Sequence, residues 1–508
     1  MDSSGDGDSC NTMNELKYDI RIASAQRELV RIDDFRLAES SITVLFGESG
    51  IGKSLSALAI AGLIDPDQLD VSINGKEYGE YLASQELSDV RRNGFFVFQE
   101  PSSHLNPLMT LRIQLREGTL TNALNEDHIL DRLWPDSSRA SVQNILDVYP
   151  KPYRPSGGEK QRLLAAMAFK KMSLTTAQAP GALFIFDEPT GSLDNRLRDD
   201  FLRLLVDNFR LHHATVLLIT HDYSMISHFT SSYPDLAKRI LFKELLIDRG
   251  RLRLRDFRPS EYLDWIGDRK AHARSVVQRE TILTLQPSVN VFGRTLKITK
   301  DGRGNVPVPL VVRKGAMVYL KAPSGVGKTT LVKLMMGLLK ADQMSMQLGG
   351  TEYTERTHRR TWSDSVWGRR MTMVFQHADE ALNQNSSVKD VFAGLPLKTA
   401  LHDAGTLTVL SDLFEEQADL PFLRKQVKYL SGGQKQRLNL LRSFVLDTDI
   451  LILDEPLNGL DFVSSIKVIS KIEERLQRSM SVLIISHNEE IFDALASPEH
   501  VYYLHAVA

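Results

Sequence analysis

The chain has 508 residues and a formal charge of −2, from 62 Lys and Arg against 64 Asp and Glu. Its 42% hydrophobic and 25% charged content are globular averages, which excludes wholesale disorder, and the length accommodates two large domains or several small ones. Near-neutrality argues against a chain held to nucleic acid mainly through phosphate contacts. Cys10 is the only cysteine, so no internal disulfide can form and a reducing compartment is expected. No run of 18 or more apolar residues occurs, and the start MDSSGDGDSC is acidic and small. Neither a membrane span nor a secretory signal is therefore expected, and the chain reads as soluble and cytosolic.

In chain order, residues 1–13 carry almost nothing to bury and are expected to be disordered. SITVLF is the first apolar run without polar alternation, as in a strand covered on both faces of a parallel sheet. It leads into GESGIGKS at 47–54 and then a helical pattern on Leu55, Leu58, Ala59 and Leu63. FVFQ ends at Gln99. Some 55 residues follow it, enough for a small helical insertion, and then PSGGEKQR at 155–162 opens an amphipathic helix. ALFIF runs into Asp187-Glu188, TVLLIT into His221, and 241–256 is expected to be a hairpin turning at Asp248-Arg249-Gly250. Residues 257–284 form a charged helical connector with no chemistry assigned to it. Beyond it, VNVFGRTLKITKDG opens a second run of strand and turn.

That second run repeats the first. APSGVGKT at 322–329, MVFQ at 373–376, LSGGQKQR at 430–437, LILDEPLNGLD at 451–461 and LIISHN at 483–488 recur in the same order. The offsets are 275, 277, 275, 267 and 266 residues for Lys53/Lys328, Gln99/Gln376, Ser156/Ser431, Asp187/Asp454 and His221/His487. A nearly fixed offset means two copies of one domain, not a solenoid of small units. The expected division is a 1–13 tail, domain one at 14–256, the connector at 257–284 and domain two at 285–508. The expected class is α/β, each domain having a mostly parallel sheet, an antiparallel β part and a helical subdomain.

The pattern G-x-x-x-x-G-K-[ST] between strand and helix cradles phosphates, because glycines let consecutive N–H groups converge at a helix N-terminus. Gly47, Gly50, Gly52, Lys53 and Ser54 form it in copy one; Ser324, Gly325, Gly327, Lys328, Thr329 and Thr330 serve in copy two. Lys53 and Lys328 are placed to reach β- and γ-phosphates, and Ser54 and Thr329 to offer a hydroxyl to Mg²⁺. Ala322 replaces the first glycine of copy two, a small perturbation if its φ stays negative, and weaker binding is expected there. Asp187 and Asp454 end apolar strands at the sheet edge where ligands collect, and are assigned to Mg²⁺. Glu188 and Glu455 follow as the groups that orient and deprotonate the attacking water. Gln99 and Gln376 are placed to reach metal and water, and His221 and His487 to reach the γ-phosphate or the water.

LSGGQKQR at 430–437, between a P-loop and an Asp-Glu strand end, resembles the signature motif of the ATP-binding cassette (ABC) ATPases, and PSGGEKQR is a close variant. The resemblance covers roughly 14–256 and 285–508. It implies ATP and Mg²⁺ as cofactors, and nucleotide sandwiched between the P-loop of one domain and the signature of the other. On that basis Ser431, Gly432, Gly433 and Gln434 complete the site of Lys53, while Ser156, Gly157, Gly158 and Glu159 complete the site of Lys328. Asp194 and Asp461 match the family's D-loop. Pro155, Glu159 and Ala322 depart from its pattern, all in site two, which is expected to be slower. The family's adenine-stacking aromatic has Tyr18 and Phe292 as its nearest candidates, both read here as core.

QEPSSHLNPL at 99–108 resembles the glutamine loop of ATPases driving dipeptide, oligopeptide and nickel importers, a group that includes tandem fusions. The implied role is a motor subunit on the inner face of the cell membrane, its helical insertions gripping two separate permease subunits, with an extracytoplasmic solute-binding protein as further partner and no direct nucleic acid. The alternative is a soluble tandem ABC ATPase that remodels a ribosome, DNA or an enzyme complex. The near-neutral connector and the lack of zinc-binding cysteines disfavour it.

Overall fold

A computed structural model describes residues 14–25, 27–116, 126–135, 137–147, 155–175, 179, 182–191, 195–248, 251–271, 280–304, 306–323, 325–397, 399, 401–414 and 418–507. The tail at 1–13 and the connector's 272–279 lie outside the described residues. The chain divides into two compact units, one built mainly from residues up to Phe257 and one mainly from Arg258 onward.

The first unit holds a six-stranded sheet in the order Arg251–Asp256, Ile240–Asp248, Ile42–Gly47, Thr215–Ile219, Leu183–Asp187, Phe95–Val97. Its last four strands pair in parallel. Ile42–Gly47, Thr215–Ile219 and Leu183–Asp187 are buried along their whole length, which is why they are written in Val, Ile, Leu and Phe without alternation. The expected hairpin is present, Arg251 pairing with Asp248, with Arg249 and Gly250 outside the described residues. A four-stranded antiparallel sheet, ordered Arg27–Ala38, Glu15–Ser24, Asp70–Ile73, Lys76–Glu77, completes the unit. Here the pattern does alternate: Tyr18, Ile20 and Ile22 face the core and Lys17, Asp19 and Arg21 the solvent. Those inward residues join Val30, Ile32, Leu45, Ile185 and Leu217 in one cluster.

The helical insertion comprises Leu111–Arg116, Glu126–Leu133 and Arg139–Asp147. It precedes the long helix Gly157–Leu174, which is not amphipathic as expected. Leu163, Leu164, Ala165, Ala166, Ala168 and Phe169 are all buried, so the helix is covered on most sides.

The second unit repeats the plan. Its seven-stranded sheet runs Ser288–Val291, Arg294–Thr299, Val501–Val507, Met317–Lys321, Ser481–Ile485, Ile450–Asp454, Met371–Val374, the last five pairing in parallel. An antiparallel sheet of Leu310–Arg313, Thr281–Leu285, Ser345–Leu348 and Thr351–Thr354 stands with it. Helices Asp403–Phe414 and Leu420–Arg424 precede Gly432–Phe444. Pro259–Ala271 is a helix that docks on Glu489–Leu495: the Tyr262 hydroxyl donates to Glu490 Oε2 at 3.0 Å and Lys270 Nζ to Oε1 at 3.0 Å. No helix among the described residues is long and apolar enough to cross a membrane.

Candidate active site

In each unit the P-loop strand and the Asp-Glu strand are not neighbours. Thr215–Ile219 lies between Ile42–Gly47 and Leu183–Asp187, and Ser481–Ile485 lies between Met317–Lys321 and Ile450–Asp454. Side chains from the two outer strand ends therefore meet above the end of the middle strand. Ser54 Oγ donates to Asp187 Oδ1 at 2.9 Å, and Thr329 Oγ1 to Asp454 Oδ2 at 2.6 Å. The two hydroxyls and two acids singled out for Mg²⁺ are thus paired one-to-one in each unit.

The loops themselves have the backbone their glycines permit. Gly47, Gly50 and Gly52 have φ of 146°, 79° and 115°, and Gly325 and Gly327 have 78° and 109°. A Cβ on Gly52 would lie 2.6 Å from Val30 Cγ2, so that position tolerates no side chain on grounds of space as well. Ala322 takes the first glycine's place without a positive φ, as the sequence requires. Ser324 lies outside the described residues. Helices begin directly after, at Lys53–Ile60 and Lys328–Met335, aiming their N-termini at the loops.

Glu188 and Glu455 share a feature no motif announces. Both hold left-handed backbone, φ 47° and 49°, pinned by N–H bonds to the last carbonyl of the middle strand, Ile219 at 3.0 Å and Ile485 at 2.8 Å. Such a backbone costs a non-glycine residue about 1 kcal/mol or more. In the second unit the acid stands beside the phosphate loop's lysine, Lys328 Nζ lying 4.0 Å from Glu455 Oε1.

Around Glu455 the second unit shows the electrostatics in detail. Oε2 accepts from Ser486 Oγ at 2.9 Å and from the His487 N–H at 3.0 Å. Oε1, buried, has no hydrogen-bond donor among the described residues; Lys328 Nζ stands 4.0 Å away and His487 Nε2 3.4 Å. Lys328 Nζ also donates to the Ala322 carbonyl at 2.9 Å. Burial raises the Glu455 carboxyl above its ordinary range. Burial likewise pushes Asp187 and Asp454 up to about 6, against the opposing hydroxyl bonds.

These groups fit Mg·ATP. One carboxylate and one hydroxyl per unit is an all-oxygen donor set for a hard ion that keeps several waters. A buried carboxylate oxygen without a donor, next to a lysine and a histidine, is what an oriented water would satisfy.

Other expected residues fall as follows. Gln99 and Gln376 follow Phe95–Val97 and Met371–Val374. Just before them, the Phe98 carbonyl accepts from Gln161 Nε2 and the Phe375 carbonyl from Asn439 Nδ2, both at 3.2 Å. Ser156 and Ser431 cap the signature helices: Ser156 Oγ accepts from the Glu159 N–H at 3.2 Å, and Ser431 Oγ from the Gln434 N–H at 3.1 Å. The side chains of Glu159 and Gln434 accept in return from the backbone of Ser156 and Ser431, closing capping boxes. Asp461 Oδ1 caps its own helix by accepting from Ser464 N at 2.6 Å; Asp194 lies outside the described residues. Tyr18 is core, 1% exposed. Phe292 is not, and the reading of it as core is corrected. It is 73% exposed with φ 50° at the tip of the hairpin joining Ser288–Val291 to Arg294–Thr299. Leu296 of that hairpin lies 3.4 Å from where a Cβ on Gly327 would sit, so the hairpin flanks the phosphate loop.

Ser486, Gln161 and Asn439 were missed as supports. Their only sequence signal is a polar residue inside a buried run, which does not name its partner.

The profile of the ABC transporter family matches residues 30–191 and 307–458. The chain belongs to the ABC transporter family. It carries the family's ATP-binding domain twice, and its activity is that of an ATPase. Among relatives of this ABC chain, a peptidoglycan transport ATP-binding protein, YejF, of Agrobacterium fabrum is 27% identical over 91% of this chain and 85% of its own length. The glutathione import ATP-binding protein GsiA of Escherichia coli is 24% identical over 99% and 86%. Among solved structures, the archaeal ribosome recycling factor aABCE1 in complex with the ribosomal stalk protein aP1 superposes with a TM-score of 0.59 at 18% identity, covering 92% of this chain and 86% of its own. That likeness concerns the fold of tandem ABC domains alone.

Proposed function

We propose that this chain is the ATP-hydrolysing motor subunit of a membrane ABC importer for peptides, opines or metal chelates, peripheral on the inner face of the cell membrane. Two permease subunits and an extracytoplasmic solute-binding protein are its partners. The observation that carries the catalytic part is the doubled arrangement of a paired hydroxyl and carboxylate beside a left-handed glutamate. The transport part is supported by importer ATP-binding relatives that cover nearly the whole chain.

When bound, Mg·ATP supplies the γ-phosphoryl group and the charge neutralisation around it. Lys53 and Lys328 would hold phosphate oxygens, Ser54 with Asp187 and Thr329 with Asp454 would hold the metal, and Glu188 and Glu455 would orient a water and take its proton. Glu455 is suited to that last role because its raised proton affinity makes it a better base, while Ser486 and the His487 N–H fix its other oxygen. Ser431 and Ser156, with their following glycines, are proposed to meet the nucleotide of the opposite domain. Phe292 offers its exposed ring to adenine in copy two.

Replacing Glu188 with Gln keeps the shape and removes the base, so turnover should fall by about 100-fold or more, in line with general-base contributions. Glu455→Gln should cost less if site two is the slower. Steady-state ATPase assays of both variants decide: a parental rate in Glu188→Gln would refute its role, and equal losses would refute the asymmetry. Affinity purification from membranes tests the partners. Recovery of permease subunits supports import, and recovery of ribosomes instead overturns it.

A further inference from the structure

A cavity of about 530 Å³ opens in the first unit between the end of helix Asn195–His212 and the 3₁₀ turn Pro234–Leu236. It lies at the amino ends of strands Thr215–Ile219 and Ile240–Asp248, the sheet edge opposite the phosphate loop and Asp187. Nothing in the ATPase chemistry uses it.

Its charged lining is Arg210, His213, Asp235, Lys238 and Arg239. Arg210 is already committed: its Nη2 donates to both Asp235 oxygens, at 2.9 and 2.7 Å, and its guanidinium lies over the Tyr233 ring, 5.5 Å from the centroid. Asp235 is the only carboxylate lining the cavity among the described residues, so that pair cancels. Lys238 and Arg239 remain as surplus positive charge. Arg239 Nη1 lies 3.3 Å from His213 Nδ1, which brings the two side chains together on this wall. The result is a concave, partly apolar wall carrying Lys238, Arg239 and His213, whose one carboxylate among the described residues, Asp235, is taken up by Arg210.

The second unit supplies an internal control. At the positions of Arg210 and His213 it has Gln477 and Ser479, and Ser479 adopts the same left-handed backbone, φ 63° against 50° at His213. Its 3₁₀ turn Pro498–His500 runs straight into the strand at Val501. In the first unit Ala237, Lys238 and Arg239 intervene between Leu236 and Ile240. The fold thus builds this corner without the basic groups or the extra three residues, and packing does not require them.

We propose that this cavity binds a small phosphorylated molecule, its phosphate held by Lys238, Arg239 and His213 and its body resting against Pro234 and Ala237. A guanidinium and an ammonium from one loop, facing the cavity with an imidazole from another, suit a tetrahedral anion, and the volume lies within the range of small-molecule sites. The inference is independent of the transport reading.

The test is isothermal titration of the full-length protein, saturated with Mg·ADP so that the phosphate loops are filled, with glucose 6-phosphate and with inorganic phosphate. One equivalent should bind per chain. Lys238→Ala/Arg239→Ala should weaken binding at least tenfold, and His213→Ser, the second unit's residue, several-fold, with basal ATPase rate and circular dichroism unchanged. Tighter binding of the ester identifies a phosphorylated metabolite as occupant, and equal binding identifies the free anion. No binding of either probe, or equal binding by the variants, overturns the proposal. So does a duplex oligonucleotide that binds far more tightly through the same residues.

Discussion

Asp187 is held between a hydroxyl that favours its ionised form and a burial that opposes it, and burial wins: the carboxyl titrates near 6 instead of its ordinary 3.8. Because the folded-state value is raised, the stabilisation belongs to the protonated acid. It is complete below about pH 4 and lost as pH climbs through about 6, so the ionised group at neutral pH is a cost to the empty protein. A gap of roughly two pH units corresponds to about 3 kcal/mol at most. Asp187→Asn is therefore expected to stabilise the metal-free protein at about pH 8 by up to that amount and to leave it unchanged at about pH 4. Urea denaturation at the two pH values measures this, and a variant less stable than the parent at the higher pH would contradict it. The same substitution should abolish Mg²⁺-dependent hydrolysis, since the carboxylate that costs stability is the one proposed to hold the metal. Phe292 is the counterpart case on the surface. An exposed ring in left-handed backbone earns nothing from packing, so Phe292→Ala should leave thermal stability within error while weakening ATP binding. Base–aromatic stacking of about 1–3 kcal/mol sets the expected loss at roughly 5- to 150-fold. Fluorescent-nucleotide titration of copy two, with the Lys53 site disabled, reads it directly.

At the scale of elements, the signature helices put one residue to a structural use and to the proposed role in the site. Ser156 and Ser431 close capping boxes of matching geometry, with Glu159 in one and Gln434 in the other doing the same work. The departure of Glu159 from the family pattern is therefore neutral for the helix itself. Ser156→Ala and Ser431→Ala should each lower stability by about 1 kcal/mol, the usual value of such a cap. Any loss of turnover beyond that, read from ATPase rates well below the melting temperature, belongs to phosphate binding, and its absence in both variants would remove the serines from the site. What the sequence disclosed follows a similar division. SITVLF, ALFIF and SVLIIS declare themselves as strands because a strand covered on both faces needs apolar residues at every position. Helix Gly157–Leu174 was misjudged, since its polar residues Lys160, Gln161 and Lys170 are buried too. Gln161 is spent on the Phe98 carbonyl, a tertiary partner 63 residues away that no periodicity reveals. Phe292 was misjudged for a related reason: distance along the chain to the phosphate loop says little once a hairpin folds back beside Gly327. The left-handed turns at Glu188 and Glu455 run against the sequence, because a residue before proline is steered to extended backbone, and only the tertiary bonds to Ile219 and Ile485 impose φ of 47° and 49°.

The whole molecule poses a question that neither copy answers alone, namely why one chain carries two. If each site takes its phosphate loop from one half and its signature serine from the other, as the family resemblance implies, then a single polypeptide is the catalytic unit. Two consequences separate this from pairing between chains. The ATPase rate per molecule should not change with dilution over about two orders of magnitude, because joining the halves in one chain replaces a bimolecular step with an effective concentration in the millimolar range. Mixing is the sharper test. A Lys53→Ala chain and a Ser431→Ala chain each lose site one by a different half. Pairing between chains would bring an intact Lys53 together with an intact Ser431 and restore up to about a quarter of the parental site-one rate. Pairing within a chain leaves the mixture at the average of the two variants. Recovery on mixing would mean that the two copies work in partnership with other chains and not with each other.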